Sequence, residues 1–206
     1  MAEITVTPKL YLASGNAGKL KEFQALAHAS GRDWKLELLP GFAELAEFAE
    51  SAPTFAENAA GKALYYSRHS DGIVFADDSG LVVPELGGAP GVLSARYAGP
   101  GASDDQKIAK LLAEMKQLEG AERDAYFVCV IAAVRQGRAL AVVSEKVNGE
   151  ILDCPRGTDG FGYDPVFFFP PLGKTFAELR PEEKSLYSHR GKAFRRLLEG
   201  LGQEKT

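Results

Sequence analysis

The feature that most constrains this sequence is a change of period near its start. Residues 10–13 form a short apolar run that passes straight into the glycine-rich turn SGNAGK. From about Gly18 the apolar residues Leu20, Phe23 and Ala27 recur at helical spacing. A strand that hands over to a helix through so few residues belongs to a sheet covered by helices. The alternation then repeats. Residues 34–39 alternate apolar and polar side chains as a second strand. Thr54 and Glu57 fit a capping box ahead of the stripe Phe55, Ala59, Ala63 and Tyr66. Asp71-Gly72 stops that helix, and residues 73–76 form a short buried strand that ends at Asp77-Asp78. A second capping box, Ser103 with Gln106, opens a helix with Ile108, Leu111, Leu112 and Met115 on its inner face. Residues 126–134 and 139–146 flank the turn RQGR as a hairpin. A strand at 166–169 follows, then a C-terminal helix from about Ser188 with Phe194, Leu197 and Leu198 inward. The expected class is α/β: helices on a mixed sheet, in one domain spanning 1–206.

Composition narrows the function classes. The 45% apolar content over 206 residues allows a full core without covalent staples. A formal net charge of -4 argues against a protein that coats polyanions, but a local cluster of cations can still hold a nucleotide. The only cysteines, Cys129 and Cys154, have neither zinc-ligand spacing nor the number for a disulfide framework, which suits a reducing compartment. The start lacks the pattern of an export signal. No apolar run approaches the roughly 18 residues of a membrane span. A cytoplasmic protein that binds neither membrane nor nucleic acid is the expectation.

Four stretches carry chemical potential. In LYLASGNAGKLKEF, backbone N–H groups of a glycine turn and a helix start can converge on an anion, with Lys19 adding charge and Asn16 an amide. It is not a Walker-type phosphate loop, since the spacing differs. In VFADDSG, two adjacent carboxylates at a buried strand end need a cation or donors, and a divalent metal is the usual answer. Alternation along a strand sends Asp77 and Asp78 to different sides. Glu44, Glu47 and Glu50 lie ahead of the second helix, and any one of them could be a further metal ligand. In GTDGFGYDPVF, a glycine-flanked aromatic loop could stack a planar base, with Asp164 accepting from base N–H groups. In PEEKSLYSHRGKAF, Lys184, His189 and Arg190 bring donors to a helix start. No serine or histidine forms a nucleophile-and-base pair, so covalent hydrolysis is not expected.

The six motifs SGNAGK, TFAENA, ADDSGL, LGGAPGVLSARYAG, GTDGFGYDPVF and EEKSLYSHRGKA, in this order, resemble the inosine triphosphate pyrophosphatase family, the non-canonical purine triphosphate pyrophosphatases. The resemblance runs from Leu12 to Leu198. It implies an elongated mixed sheet flanked by helices, in two lobes with a central cleft. It also implies a homodimer, a need for Mg²⁺, and hydrolysis of ITP, dITP and XTP to monophosphate and pyrophosphate. By the same resemblance, Asp78 is the catalytic acid and a metal ligand, and Glu50 is the second metal ligand, with Glu47 the alternative. Ser14, Gly15, Asn16, Ala17, Gly18 and Lys19 contact phosphates, as does Lys62, and Ser79 contacts substrate. Phe161, Gly162, Tyr163, Asp164, Lys184, His189 and Arg190 bind base and substrate. Asp159 departs from the family pattern, which more often has a small residue there. Two rival readings are a nucleotide sensor without catalysis, which would not need the acids, and a Maf-like pyrophosphatase, which FGYDP and SHRGKA disfavour.

Overall fold

In the computed structural model, residues 9–31 and 34–203 are described. Strand β1 (Lys9–Leu12) runs parallel to both β2 (Lys35–Leu38) and β3 (Ile73–Val82). Parallel neighbours need a crossover. Helices α1 (Ala17–Ala29) and α2 (Phe55–Tyr66) lie in the two connections. Helix α3 (Asp104–Glu114) precedes the long strands β4 (Asp124–Arg135) and β5 (Arg138–Ile151). The short strands β6 (Phe167–Phe169) and β7 (Lys174–Thr175) add antiparallel pairs next to β5. Helices α4 (Pro181–Tyr187) and α5 (His189–Gln203) follow. The seven strands form one mixed sheet in the order β2-β1-β3-β4-β5-β6-β7, so the chain has the expected α/β class. No described helix is long and apolar enough to cross a membrane.

The chain divides into two compact units. One contains the described residues up to Asp78, residues Val130–Ser144, and the described residues from Ala193 on. Its core includes the rings of Phe23, Phe75 and Phe194, with centroids 4.9–5.6 Å apart. The other contains Ser79–Cys129 and Glu145–Lys192. Its core joins Leu81 and Val83 to Ile108, Leu111 and Met115 of the α3 segment, and to Phe127, Phe167 and Phe176. Strands β3, β4 and β5 each belong to both units by sequence.

Several element boundaries differ from the sequence reading, for local reasons. Strand β3 does not stop at Ala76. It continues through Asp77 and Asp78 to Val82, because both carboxylates find partners and the apolar residues 81–83 are buried beyond them. Helix α1 starts one residue early, since the Asn16 side chain caps it by accepting from the Lys19 N–H at 3.1 Å. Its buried face is Phe23, Leu26 and Ala27, and Leu20 is only half-buried. At α2 the Thr54 hydroxyl accepts from the Glu57 N–H, but the Glu57 carboxylate accepts from that hydroxyl rather than from the Thr54 backbone N–H. The box at Ser103 and Gln106 is complete in both directions. The C-terminal helix expected from about Ser188 is α5, and a short helix α4 not read from the sequence precedes it, with Ser188 extended between the two. Gln136 and Gly137, at φ 49° and 77°, form the two-residue turn between β4 and β5.

Candidate active site

The first unit gathers the acids. Strand β1 delivers Ser14, whose Oγ accepts from the Asn16 N–H at 3.2 Å. Gly15, Asn16, Ala17 and Gly18 are exposed at the start of the 13-residue helix α1, the end of a helix that favours an anion. Lys19 Nζ lies 2.8 Å from Oδ2 of Asp77, whose side chain is fully buried. Asp78, its neighbour on β3, is 7% exposed and instead faces α2. There Asn58 Nδ2 donates to Asp78 Oδ2 at 3.0 Å. Asn58 is itself fixed: its Oδ1 accepts from the Ala52 N–H at 3.0 Å and its Nδ2 donates to the Ala52 carbonyl at 3.3 Å. Two residues before Ala52, Glu50 pairs with Lys62 of α2 at 2.5 Å. A single buried amide therefore ties the Glu50 segment to Asp78.

The electrostatics of this cluster favour an added cation. Burial pushes the Asp78 carboxyl up to about 6; the Asn58 donor opposes this, the Glu50 charge adds to it, Lys19 opposes it and Asp77 adds to it. Burial lowers the Lys62 ammonium pKa, but Glu50 and the two aspartates outweigh it and the net shift is upward. Lys19 pairs with Asp77, Lys62 pairs with Glu50, and the charges of Glu50 and Asp77 both add to the upward shift of Asp78. Glu44 and Glu47 are exposed, and Glu50 is the one of the three acids whose charge acts on Asp78. Among the described residues, no three His, Cys, Asp or Glu side chains are grouped to hold a metal unaided. Two carboxylates completed by water and substrate oxygens suit Mg²⁺, which keeps much of its hydration shell.

The second unit gathers aromatics and cations. It begins with Ser79, half-buried on β3 directly after Asp78. In the loop before β6, Asp164 accepts from the Phe161 N–H at 2.8 Å and from Lys184 Nζ at 2.5 Å. Gly160, at φ 79°, cannot carry a side chain, because a Cβ would meet the Asp164 carboxylate. The Phe161 ring is half-buried, with Lys184 Nζ 4.9 Å and the Arg190 guanidinium carbon 5.2 Å from its centroid. The Gly162 N–H donates to Asp104 Oδ2 at 2.6 Å. Burial raises the Asp104 carboxyl, but Lys107 and this N–H outweigh it and the net shift is downward. His189 stacks on Phe127 with centroids 4.6 Å apart and planes 11° apart. Gly191 keeps the start of α5 close-packed, since a Cβ there would collide with the Ser185 carbonyl.

Two of the expected site residues have partners within the protein. The Tyr163 ring lies in the core cluster, and its hydroxyl donates to the Ser94 carbonyl at 3.0 Å. The Asp164 carboxylate, expected to receive base N–H groups, accepts from Phe161 and Lys184 through Oδ2. Sequence reasoning also missed Asn58, Asp104 and Phe127. The available signal for Asn58 was an amide beside Ala59 on the inward stripe of α2. Asp104 looked like ordinary first-turn acid, and Phe127 was one apolar residue in a strand.

The mixed sheet with helices in its crossovers, the acid pair on β3 and the cation-flanked aromatic loop define the class as an α/β protein. The chain belongs to the Ham1 family, whose model matches residues 10–200. It is 49% identical over 189 residues to a dITP/XTP pyrophosphatase of Geobacillus kaustophilus, covering 92% of each chain. Over 191 residues it is 47% identical to the dITP/XTP pyrophosphatase of Thermus thermophilus, covering 93% of this chain and 90% of that one. It superposes on the structure of a HAM1 protein from Coxiella burnetii with a TM-score of 0.85 at 38% identity, covering 95% of this chain and 99% of the other.

Proposed function

We propose that this protein hydrolyses non-canonical purine nucleoside triphosphates, namely dITP, XTP and ITP, to the monophosphate and pyrophosphate, and so removes deaminated purines from the nucleotide pool. The observation that carries the reading is Asp78: a buried carboxylate in mid-strand, held by Asn58 and short of positive charge. Such a group is costly in a protein that only binds.

Asp78 and Glu50 would hold Mg²⁺. Bound there, the ion would neutralise polyphosphate charge and polarise phosphoryl oxygens. Lys19, Lys62 and the N–H groups at the start of α1 would receive phosphate oxygens. Asp78 would orient the attacking water and accept its proton, a task suited to a carboxyl raised to about 6. The water attacks the α-phosphorus and pyrophosphate leaves. Positioning and charge stabilisation do most of the work.

Base choice falls to the other set of residues. Phe161 offers a stacking face, and Lys184, His189 and Arg190 supply donors. Hypoxanthine and xanthine present a 6-oxo acceptor, whereas adenine would set its 6-amino group against those donors. The same reading implies a cytoplasmic homodimer; in its support, both cysteines are free thiols, Cys129 buried and Cys154 exposed. The test is product analysis with Mg²⁺ and a panel of triphosphates. Pyrophosphate released from dITP and XTP is expected. Orthophosphate as the only inorganic product would refute the bond assignment.

A further inference from the structure

We propose that Asp104 is a positioning residue that holds Phe161 in place for the purine base. This rests on the function proposed above. The Phe161 ring can serve a base only if its backbone is fixed, because the loop contains Gly157, Gly160 and Gly162, all at positive φ. Two carboxylates fix it. Asp164 accepts the N–H of Phe161 itself, and Asp104 accepts the N–H of the next residue, Gly162, at 2.6 Å. The peptide groups on both sides of Phe161 are thereby held. The two anchors come from different sources. Asp164 lies within the loop, whereas Asp104 is the first residue of the 11-residue helix α3, whose inner face packs in the core through Ile108 and Leu111. The Asp104 carboxylate is held in turn by Lys107, 2.5 Å from Oδ1. Asp104 thus couples a glycine-rich loop to a rigid element. A helix-capping role alone would not need the Gly162 bond, because Ser103 and Gln106 already complete the cap.

Two variants separate positioning from general stability. Asp104→Ala removes the acceptor. Asp104→Asn combined with Lys107→Gln keeps a carbonyl oxygen for the Gly162 N–H but, like Asp104→Ala, loses the ion pair. Two readouts are taken: hydrogen exchange of the Gly162 amide, and the KM and kcat for dITP. In Asp104→Ala, the amide should exchange about tenfold faster. KM should rise roughly 3–10-fold with kcat within a factor of about two, because the loss falls on base stacking rather than on phosphate chemistry. The Asn/Gln variant should retain most of the protection and most of the affinity. Unchanged exchange in Asp104→Ala overturns the proposal. So does a KM equal to the parent's, or an Asn/Gln variant that behaves like Ala. If the parent enzyme releases no pyrophosphate from dITP, the proposed function fails, and the exchange result alone then decides whether Asp104 anchors the loop.

Discussion

The acid cluster and the aromatic loop solve opposite problems. Around Asp78, a strand buried in the sheet carries two adjacent carboxylates, Glu50 adds a third negative charge from the segment before α2, and burial pushes Asp78 up to about 6. Around Phe161, each acid has its own cation: Asp164 has Lys184 and Asp104 has Lys107. In the first region burial and neighbouring acids raise a carboxyl, whereas in the second each acid is matched by a lysine. The proposed function places chemistry in the first and base selection in the second, and substitutions should then separate the two.

The largest effect belongs to the acid cluster. Asp78→Asn should lower kcat for dITP by a factor on the order of 10³ or more, since both the proton acceptor and a metal-ligand charge are lost. Circular dichroism should show the fold intact. Near-parent turnover would remove Asp78 from the chemistry.

A smaller effect is expected in the loop. Phe161→Ala should raise KM for every purine triphosphate, roughly 5–100-fold, because stacking is worth about 1–3 kcal/mol per base and is nearly blind to base identity. Steady-state kinetics with dITP and dATP check this. A KM unchanged for both would show that the ring only packs.

The smallest effect is on stability. A carboxyl raised from 3.8 to about 6 makes the folded state bind its proton more tightly than the unfolded state. Stability therefore falls as pH rises from about 4 to 6, and the penalty is complete above that window. Without metal, Asp78→Asn should escape a penalty on the order of 1–3 kcal/mol at pH 7.5 and melt above the parent. Mg²⁺ should raise the parent's Tm and leave the variant's nearly unchanged. A parent that melts higher than the variant in chelator at pH 7.5 would contradict this charge balance.

Much of this was legible in the sequence because local chemistry sets it. The Thr54 and Ser103 caps, the Gln136-Gly137 turn and the inward faces of α2 and α3 depend on near neighbours, and local spacing exposes them. The extent of β3 was not legible. Asp-Asp-Ser-Gly has turn chemistry, and partners distant in sequence, Lys19 and Asn58 among them, accompany both acids in the strand. The pairing of Glu50 with Lys62 of α2 depends on packing, and composition cannot supply that. The burial of Tyr163 was not legible for the converse reason: it sits in a glycine-rich loop, yet its hydroxyl donates to the distant Ser94 carbonyl. Asp104 lies far from the loop in sequence, so no motif linked it to Gly162.

The central claim is that base selection resides at the start of α5 while phosphate chemistry resides at Asp78. The most direct measurement is the ratio of kcat/KM for dITP to that for dATP, in the parent and in Arg190→Ala and His189→Ala. Phosphate and metal contacts are common to both substrates and cancel in this ratio. The account predicts that the parent's ratio strongly favours dITP and that at least one variant lowers it about 100-fold or more, since polar recognition of an oxo group can discriminate by up to roughly 10⁴. Equal losses for dITP and dATP in both variants would contradict it, and would assign His189 and Arg190 to phosphate binding or to structure.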